Sequence, residues 1–228
     1  MTSRWQNEKT AVAETARAMY KNGLVAGTSG NVSVRLAPSE AGELLMAVTP
    51  AGIAYDTMQA DDIVVTDFEI ETVEGELMPS SESLLHVAIY QARPDVGAVI
   101  HTHSVYSSVL AVSGLDIPPI LDEVIVNIGG PIRVSEYGFP SSEELAQNVT
   151  DALGHRKAAI IANHGAVGVG NDLNEALEIC GLVERVSEIF VHATAMGQII
   201  QLPPEAVEAE QAIYRMRNPD IRDRKSVV

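Results

Sequence analysis

The sequence predicts an α/β fold in which a mixed or largely antiparallel sheet is covered by helices. Strand-like and helix-like segments alternate irregularly, and several strand segments are joined by short loops, unlike a doubly wound parallel sheet. The 228 residues are 46% apolar, enough for one large core. No internal repeat, low-complexity tract or linker divides them, so residues 1–228 read as one domain with a flexible tail over 218–228.

The elements follow in order. Residues 5–22 read as a helix, because Ala11, Val12, Thr15, Ala16, Met19 and Tyr20 form a stripe at helical spacing and Gly23 stops it. The loop Gly27-Thr28-Ser29-Gly30-Asn31 leads to a strand over 32–36. A second strand covers 44–49, the turn Pro50-Ala51-Gly52 follows, and a third strand covers 63–66. Pro79-Ser80-Ser81-Glu82 opens a helix to about 92, with Ser80 or Ser81 as its N-cap. A buried strand over 96–103 precedes a short helix over 105–112. Further on come a strand over 132–135, a helix over 141–153 and a buried strand over 158–163 that ends in His164-Gly165. A long helix over 173–196 stops before Pro203-Pro204, and a last helix covers 205–217.

Composition excludes several function classes. The net charge of −16 argues against nucleic acid and anionic membranes as partners. It leaves room for a phosphorylated substrate, because a local pocket of amides and hydroxyls holds an anion inside an acidic protein. A single cysteine, Cys180, rules out an intramolecular disulfide and sits in an apolar helical pattern that reads as core. The opening Met1-Thr2-Ser3-Arg4-Trp5-Gln6 has no apolar signal region, and no segment approaches about 20 apolar residues, so a cytoplasmic location is expected.

The most informative motif is Ile100-His101-Thr102-His103. In a strand, residues i and i+2 point to one face, so His101 and His103 share a face and can ligate one divalent ion. The pair alone leaves open a strand running into solvent with two histidines near its tip. Glu82 falls in the first helical turn, where the dipole favours a carboxylate, and His86 lies one turn on as a packed residue or a partner to the site. Ser80 and Ser81 lie at a helix N-terminus, a place that binds phosphate or simply caps. The Gly27–Asn31 loop matches neither a dinucleotide fingerprint nor a P-loop, yet its glycines allow close approach of a ligand. His164, in Asn163-His164-Gly165, sits at the end of a buried strand, within reach of a cleft.

Taken together, Gly-Thr-Ser-Gly-Asn-Val-Ser, Thr-Pro-Ala-Gly, Pro-Ser-Ser-Glu, His-Thr-His and Asn-His-Gly, in that order, resemble the class II aldolase/adducin family over residues 11–191. The resemblance implies a three-layer α/β/α sandwich around a mainly antiparallel sheet, assembled as a homotetramer with sites at subunit interfaces. It implies one Zn2+ per subunit held by His101, His103, His164 and Glu82, with Glu82 turning catalytic base once substrate displaces it. It implies a phosphate site at Gly30, Asn31, Ala51, Gly52, Ser80 and Ser81, with Thr28 in the same loop. The function implied is reversible cleavage of L-fuculose 1-phosphate, or a related 5-deoxy or 6-deoxy sugar phosphate, to dihydroxyacetone phosphate and an aldehyde. None of these motifs contains a Schiff-base lysine, and three neutral imidazoles leave zinc its full charge as a Lewis acid.

The chain departs from the family's aldolase pattern in three places. Ala51 replaces a threonine, so only its backbone amide remains for phosphate. Leu121-Asp122-Glu123 stands where a His-Tyr pair supplies a proton donor from a neighbouring subunit, and Glu123 aligns with that tyrosine. The C-terminal segment does not align, so Tyr214 is not equated with the family's tail tyrosine. Within the family, a 4-epimerase, a 3-oxo-acid phosphate decarboxylase and a methylthioribulose-phosphate dehydratase stand as alternatives. Glutamate rather than aspartate at 82, and serine rather than lysine at 81, favour the aldolase. A non-catalytic adducin-like module is disfavoured because all three histidines and Glu82 are present.

Overall fold

The computed structural model describes residues 4–221. Seven strands, β1 (Asn31–Leu36), β2 (Leu45–Val48), β3 (Val64–Asp67), β4 (Thr72–Glu74), β5 (Ala98–Thr102), β6 (Ala158–Ile161) and β7 (Gly165–Gly170), form one sheet. Seven helices accompany them among the described residues: α1 (Gln6–Lys21), α2 (Ser83–Ala92), α3 (Val105–Ser113), α4 (Asp122–Ile128), α5 (Glu143–Leu153), α6 (Leu173–Ala195) and α7 (Pro204–Arg217). The sheet order is β4-β3-β2-β1-β5-β7-β6, and every neighbouring pair is antiparallel, as expected.

Strand alternation sorts the core into layers. Val32 and Leu36 of β1, Leu45 and Ala47 of β2, and Ala98 and Ile100 of β5 pack under α1 and the start of α6. Met46, Val48, Val99, Ala159, Ile161, Val167 and Val169 point the other way and pack under α2 and α5. A third cluster closes the β6–β7 end with α3, α4 and the middle of α6. Helix ends are set locally: Ser142 accepts the Leu145 amide at 3.1 Å to start α5, and Asp172 accepts the Glu175 amide at 2.9 Å to start α6. No helix among the described residues is long and apolar enough to cross a membrane.

Several expectations need correction. Residues 132–135 form no strand; Ile132 and Val134 make only single bridges, to Ile117 and Ile160. The strand over 158–163 ends at Ile161 and turns back as β7, a strand that the residue pattern does not show. Three glycines in Gly165–Gly170 mimic a loop, but α6 presses on them: a Cβ at Gly168 would meet the Cys180 Sγ at 2.6 Å. Helix α4 and strand β4 also went unanticipated. Pro79 to Glu82 forms a turn before α2 rather than its first turn, and no side chain caps that helix. Of the tail, 218–221 continues from α7 in a turn closed by Ile221 onto Asn218, while Met1–Ser3 and 222–228 lie outside the described residues.

Because neighbouring strands run antiparallel, the start of β1, the end of β2, the end of β5 and the β6–β7 turn meet at one edge of the sheet. Asn31 stands opposite His101, Thr102 stands opposite Ala166, and the Thr49 amide donates to the Val32 carbonyl.

Candidate metal centre

Four side chains converge at that edge. Glu82, His101, His103 and His164 each offer a ligand atom, and these atoms all lie within 4.8 Å of one another. The β5 pleat places His101 on the α2 side of the sheet, two residues from Val99. His103 follows just past the strand, its amide tied to the Leu24 carbonyl at 3.0 Å. The strand then enters α3, whose first amides are held by the Glu184 carboxylate of α6, from Tyr106 and Ser107, each at 2.9 Å. His164 occupies the tight β6–β7 turn, where Asn163 takes a left-handed φ of 56° and donates its amide to the Ala111 carbonyl. Glu82 precedes α2 by one residue, which corrects the expectation of a first-turn position.

The three imidazole rings sit edge to face with centroids 4.7, 4.8 and 4.8 Å apart. The Glu82 carboxylate reaches His101 Nε2 at 3.0 Å and His164 Nε2 at 3.4 Å, and His101 Nε2 and His103 Nε2 approach to 2.9 Å. His101 Nδ1 faces the Ala166 carbonyl at 2.9 Å. A carbonyl only accepts, so Nδ1 carries a proton, and in the neutral ring Nε2 is left with a lone pair toward its neighbours. Packing such lone pairs against a carboxylate suits a shared cation, and tetrahedral zinc ligands at about 2.0–2.1 Å stand at similar separations.

Two further observations fit a metal. Glu82 Oε1 and His164 Nδ1 are buried without a hydrogen-bond partner. Burial, then the neighbouring imidazoles, pushes His103 down to about 4 and also lowers His164, which keeps both neutral and able to ligate. Burial alone would raise the Glu82 carboxyl, but positive charge at the site, at His101 first, outweighs that and brings it to about 2, and a bound cation would supply the same pull with the rings neutral.

The residues expected to hold an anion follow beside this group, Asn31 paired opposite His101 and Ser80 two residues before Glu82. The 49–52 and 78–80 segments pair through the Ser80 amide to the Thr49 carbonyl at 3.1 Å and the Ala51 amide to the Met78 carbonyl at 2.9 Å. Ala51 therefore has its one remaining donor already engaged. Asn31 Nδ2 donates to Ser80 Oγ at 2.8 Å, which links β1 to the turn before α2. Gly30 takes φ 75° with its Cα pressed on the His101 carbonyl, where a Cβ would stand at 2.5 Å. Ser81, Ala51, Gly52 and Thr28 lie exposed around this point.

Other residues fall elsewhere. Glu123 is not part of the four-residue group; it lies on α4 and pairs with Arg185 at 2.6 Å. Tyr214 is buried, donates its hydroxyl to the His155 carbonyl at 2.9 Å, and serves packing. Cys180 is buried, and that burial pushes its thiol up to about 12, as a core residue should be. Sequence reasoning missed the Ala166 carbonyl that orients His101, for which no sequence signal exists. It also missed Ser33 and Tyr90 behind the cradle. Their signal was readable: Asn31 and Ser33 alternate on β1, and Glu82, His86 and Tyr90 recur every four residues.

Known proteins resemble this chain along most of its length. A family model described as the class II aldolase and adducin N-terminal domain matches residues 10–191. The chain is 36% identical to a 5-methylthioribulose-1-phosphate/5-deoxyribulose-1-phosphate aldolase of Rhodospirillum rubrum, over 86% of this chain and 85% of that one. It is 34% identical to the L-fuculose phosphate aldolase of Escherichia coli strain K12, over 81% and 83% of the two chains. Among solved structures, an L-fuculose 1-phosphate aldolase superposes with a TM-score of 0.85 at 34% identity, covering 94% of this chain and 98% of that one.

Proposed function

The chain belongs to the class II aldolase and adducin family, and from that membership we propose that it is a zinc-dependent aldolase cleaving a ketose 1-phosphate. The products are dihydroxyacetone phosphate and an aldehyde, and the reaction is reversible. The substrate is L-fuculose 1-phosphate or a related 5-deoxy or 6-deoxy ketose phosphate, in keeping with the compounds for which its relatives are named. The observation that carries this reading is the meeting of Glu82, His101, His103 and His164 within 4.8 Å, beside the Asn31–Ser80 pair.

His101, His103 and His164 would hold the metal, with Glu82 as fourth ligand. Zinc bound there supplies Lewis acidity at the substrate carbonyl and the hydroxyl next to it. Glu82 is the only carboxylate of the group. It would serve as the base that takes and returns the proton at the carbon of the three-carbon fragment. Asn31 and Ser80 bind the phosphate, with Gly30, Gly52, Ser81 and Thr28 around it. Ala51 joins by turning its amide from Met78 to the anion. Anchoring the unreactive end of the substrate turns binding energy into orientation.

The chain acts in this reading as a cytoplasmic homotetramer with sites at subunit interfaces. Glu123 enters only through that assembly, as proton donor to a neighbouring copy, since in its own chain it is tied to Arg185. The test is to incubate the purified protein with several ketose 1-phosphates and couple release of dihydroxyacetone phosphate to a dehydrogenase, with and without chelator. Chelator-sensitive release supports the proposal. No release from any of them overturns it.

A further inference from the structure

A polar file runs behind the anion cradle, where a core would ordinarily be apolar. Asn31 and Ser33 alternate on β1 toward α2, and Glu82, His86 and Tyr90 face back from successive turns around that helix. His86 is fully buried and spans the gap. Its Nδ1 meets Ser33 Oγ at 2.6 Å, its Nε2 meets Asn31 Oδ1, and Ser33 Oγ meets the Tyr90 hydroxyl at 2.8 Å. Asn31 Nδ2 continues the chain to Ser80 Oγ at 2.8 Å, which also accepts the Glu82 amide at 3.3 Å.

Donor and acceptor rules allow the file two directions, and the orientation of the Asn31 amide selects one. The Asn31 amide points its nitrogen at Ser80, so its oxygen must accept from His86. His86 then carries its proton on Nε2, and its Nδ1 accepts from the Ser33 hydroxyl. The Ser33 oxygen is left to accept from Tyr90. At the far end, Ser80 Oγ accepts from both Asn31 and Glu82, so the only thing it has left to give is its own proton. Were the imidazole proton on Nδ1 instead, Asn31 would flip, and Ser80 would spend its proton on Asn31 Oδ1.

We propose that His86 is a positioning residue: through Asn31 it fixes Ser80 as an outward hydrogen-bond donor and so commits the cradle to an anionic, phosphate-type ligand. The inference rests on the phosphate reading above and adds what sets the polarity of that site. Donors aimed in advance at an anion need no reorganisation when it binds. Burial, and secondly the nearby His101, lowers His86 to about 3, so it stays neutral with one proton to place.

Two measurements test this on the zinc-loaded protein. Ring 15N shifts should identify the His86 tautomer as Nε2–H, with the His86→Gln spectrum giving the assignment; an Nδ1–H tautomer overturns the proposal. Binding of inorganic phosphate should then be compared across variants by calorimetry. His86→Asn keeps a partner for Ser33 and loses the donor to Asn31, so phosphate should bind at least about tenfold more weakly, the size of one lost bond to a charged group, with metal content unchanged. His86→Gln places an amide N–H near the lost Nε2–H and should restore most of the affinity. A folded His86→Asn protein that binds phosphate like wild type overturns the inference alone. Should His86→Asn not fold, Ser33→Ala reads the same link from behind and should weaken phosphate binding; unchanged affinity there is equally contrary. A wild-type protein with no affinity for phosphate or sugar phosphate overturns the proposed function and this inference together.

Discussion

Glu82 and Glu123 are the same side chain in two regions that ask opposite things of it. Glu82 is buried beside three imidazoles, and one of its oxygens makes no hydrogen bond. Glu123 lies on the surface of α4 and is satisfied by Arg185 at 2.6 Å. The first arrangement is costly for a protein unless an ion completes it, because a buried carboxylate and crowded lone pairs are otherwise uncompensated. The second is an ordinary exposed ion pair, worth about 0–1 kcal/mol. Burial with unmet bonding capacity, rather than residue type, is what marks the functional region.

The contrast can be broken at its strongest point first. His103→Ala removes one imidazole from a half-buried position, so metal and aldol cleavage should be lost by more than about 10³-fold, while stability changes by less than about 2 kcal/mol. Retained turnover, measured with metal content and thermal unfolding, would remove the metal from the mechanism. Glu82→Gln should keep the metal on three histidines and slow cleavage by up to about 10⁴-fold, since proton transfer is what it loses. An unchanged rate would take the base role from Glu82.

Smaller effects sharpen the other side. Glu123→Gln should leave metal content alone and slow cleavage by about 10²-fold, the low end for general acid–base catalysis. An unchanged rate would return Glu123 to its pair with Arg185 and nothing more. The smallest effect is on stability with pH. His86 takes up a proton near its usual value of about 6.5 when unfolded but only near 3 when folded. The unfolded state therefore binds more protons between those values, and stability should fall as pH drops through about 6.5 toward 3. Denaturant midpoints across that range should show a shallower acid slope in His86→Gln; an identical slope would mean that other groups carry the linkage.

The residues of the four-membered group were legible because their physics is local. His101 and His103 share a face by strand alternation, and Asn163-His164-Gly165 follows an apolar run, which brought His164 to the right edge. The mainly antiparallel sheet was likewise readable from short connections. Strand β7 was hidden because its glycines answer to the pressure of α6, a contact no local pattern reveals. Helix α4 was hidden because it has seven residues and no side-chain cap. The strand expected over 132–135 follows Pro131 and keeps only isolated bridges. The role of His86 depended on the register of α2 over β1, which sequence leaves open between packing and partnership.

The central claim, one divalent ion gripped by three imidazoles and Glu82, is tested most directly by measuring metal content together with X-ray absorption at the metal edge on the purified protein. The account predicts one zinc per chain with three nitrogen ligands and one oxygen ligand at about 2.0–2.1 Å. A fully folded protein that neither carries nor takes up a divalent metal would contradict it.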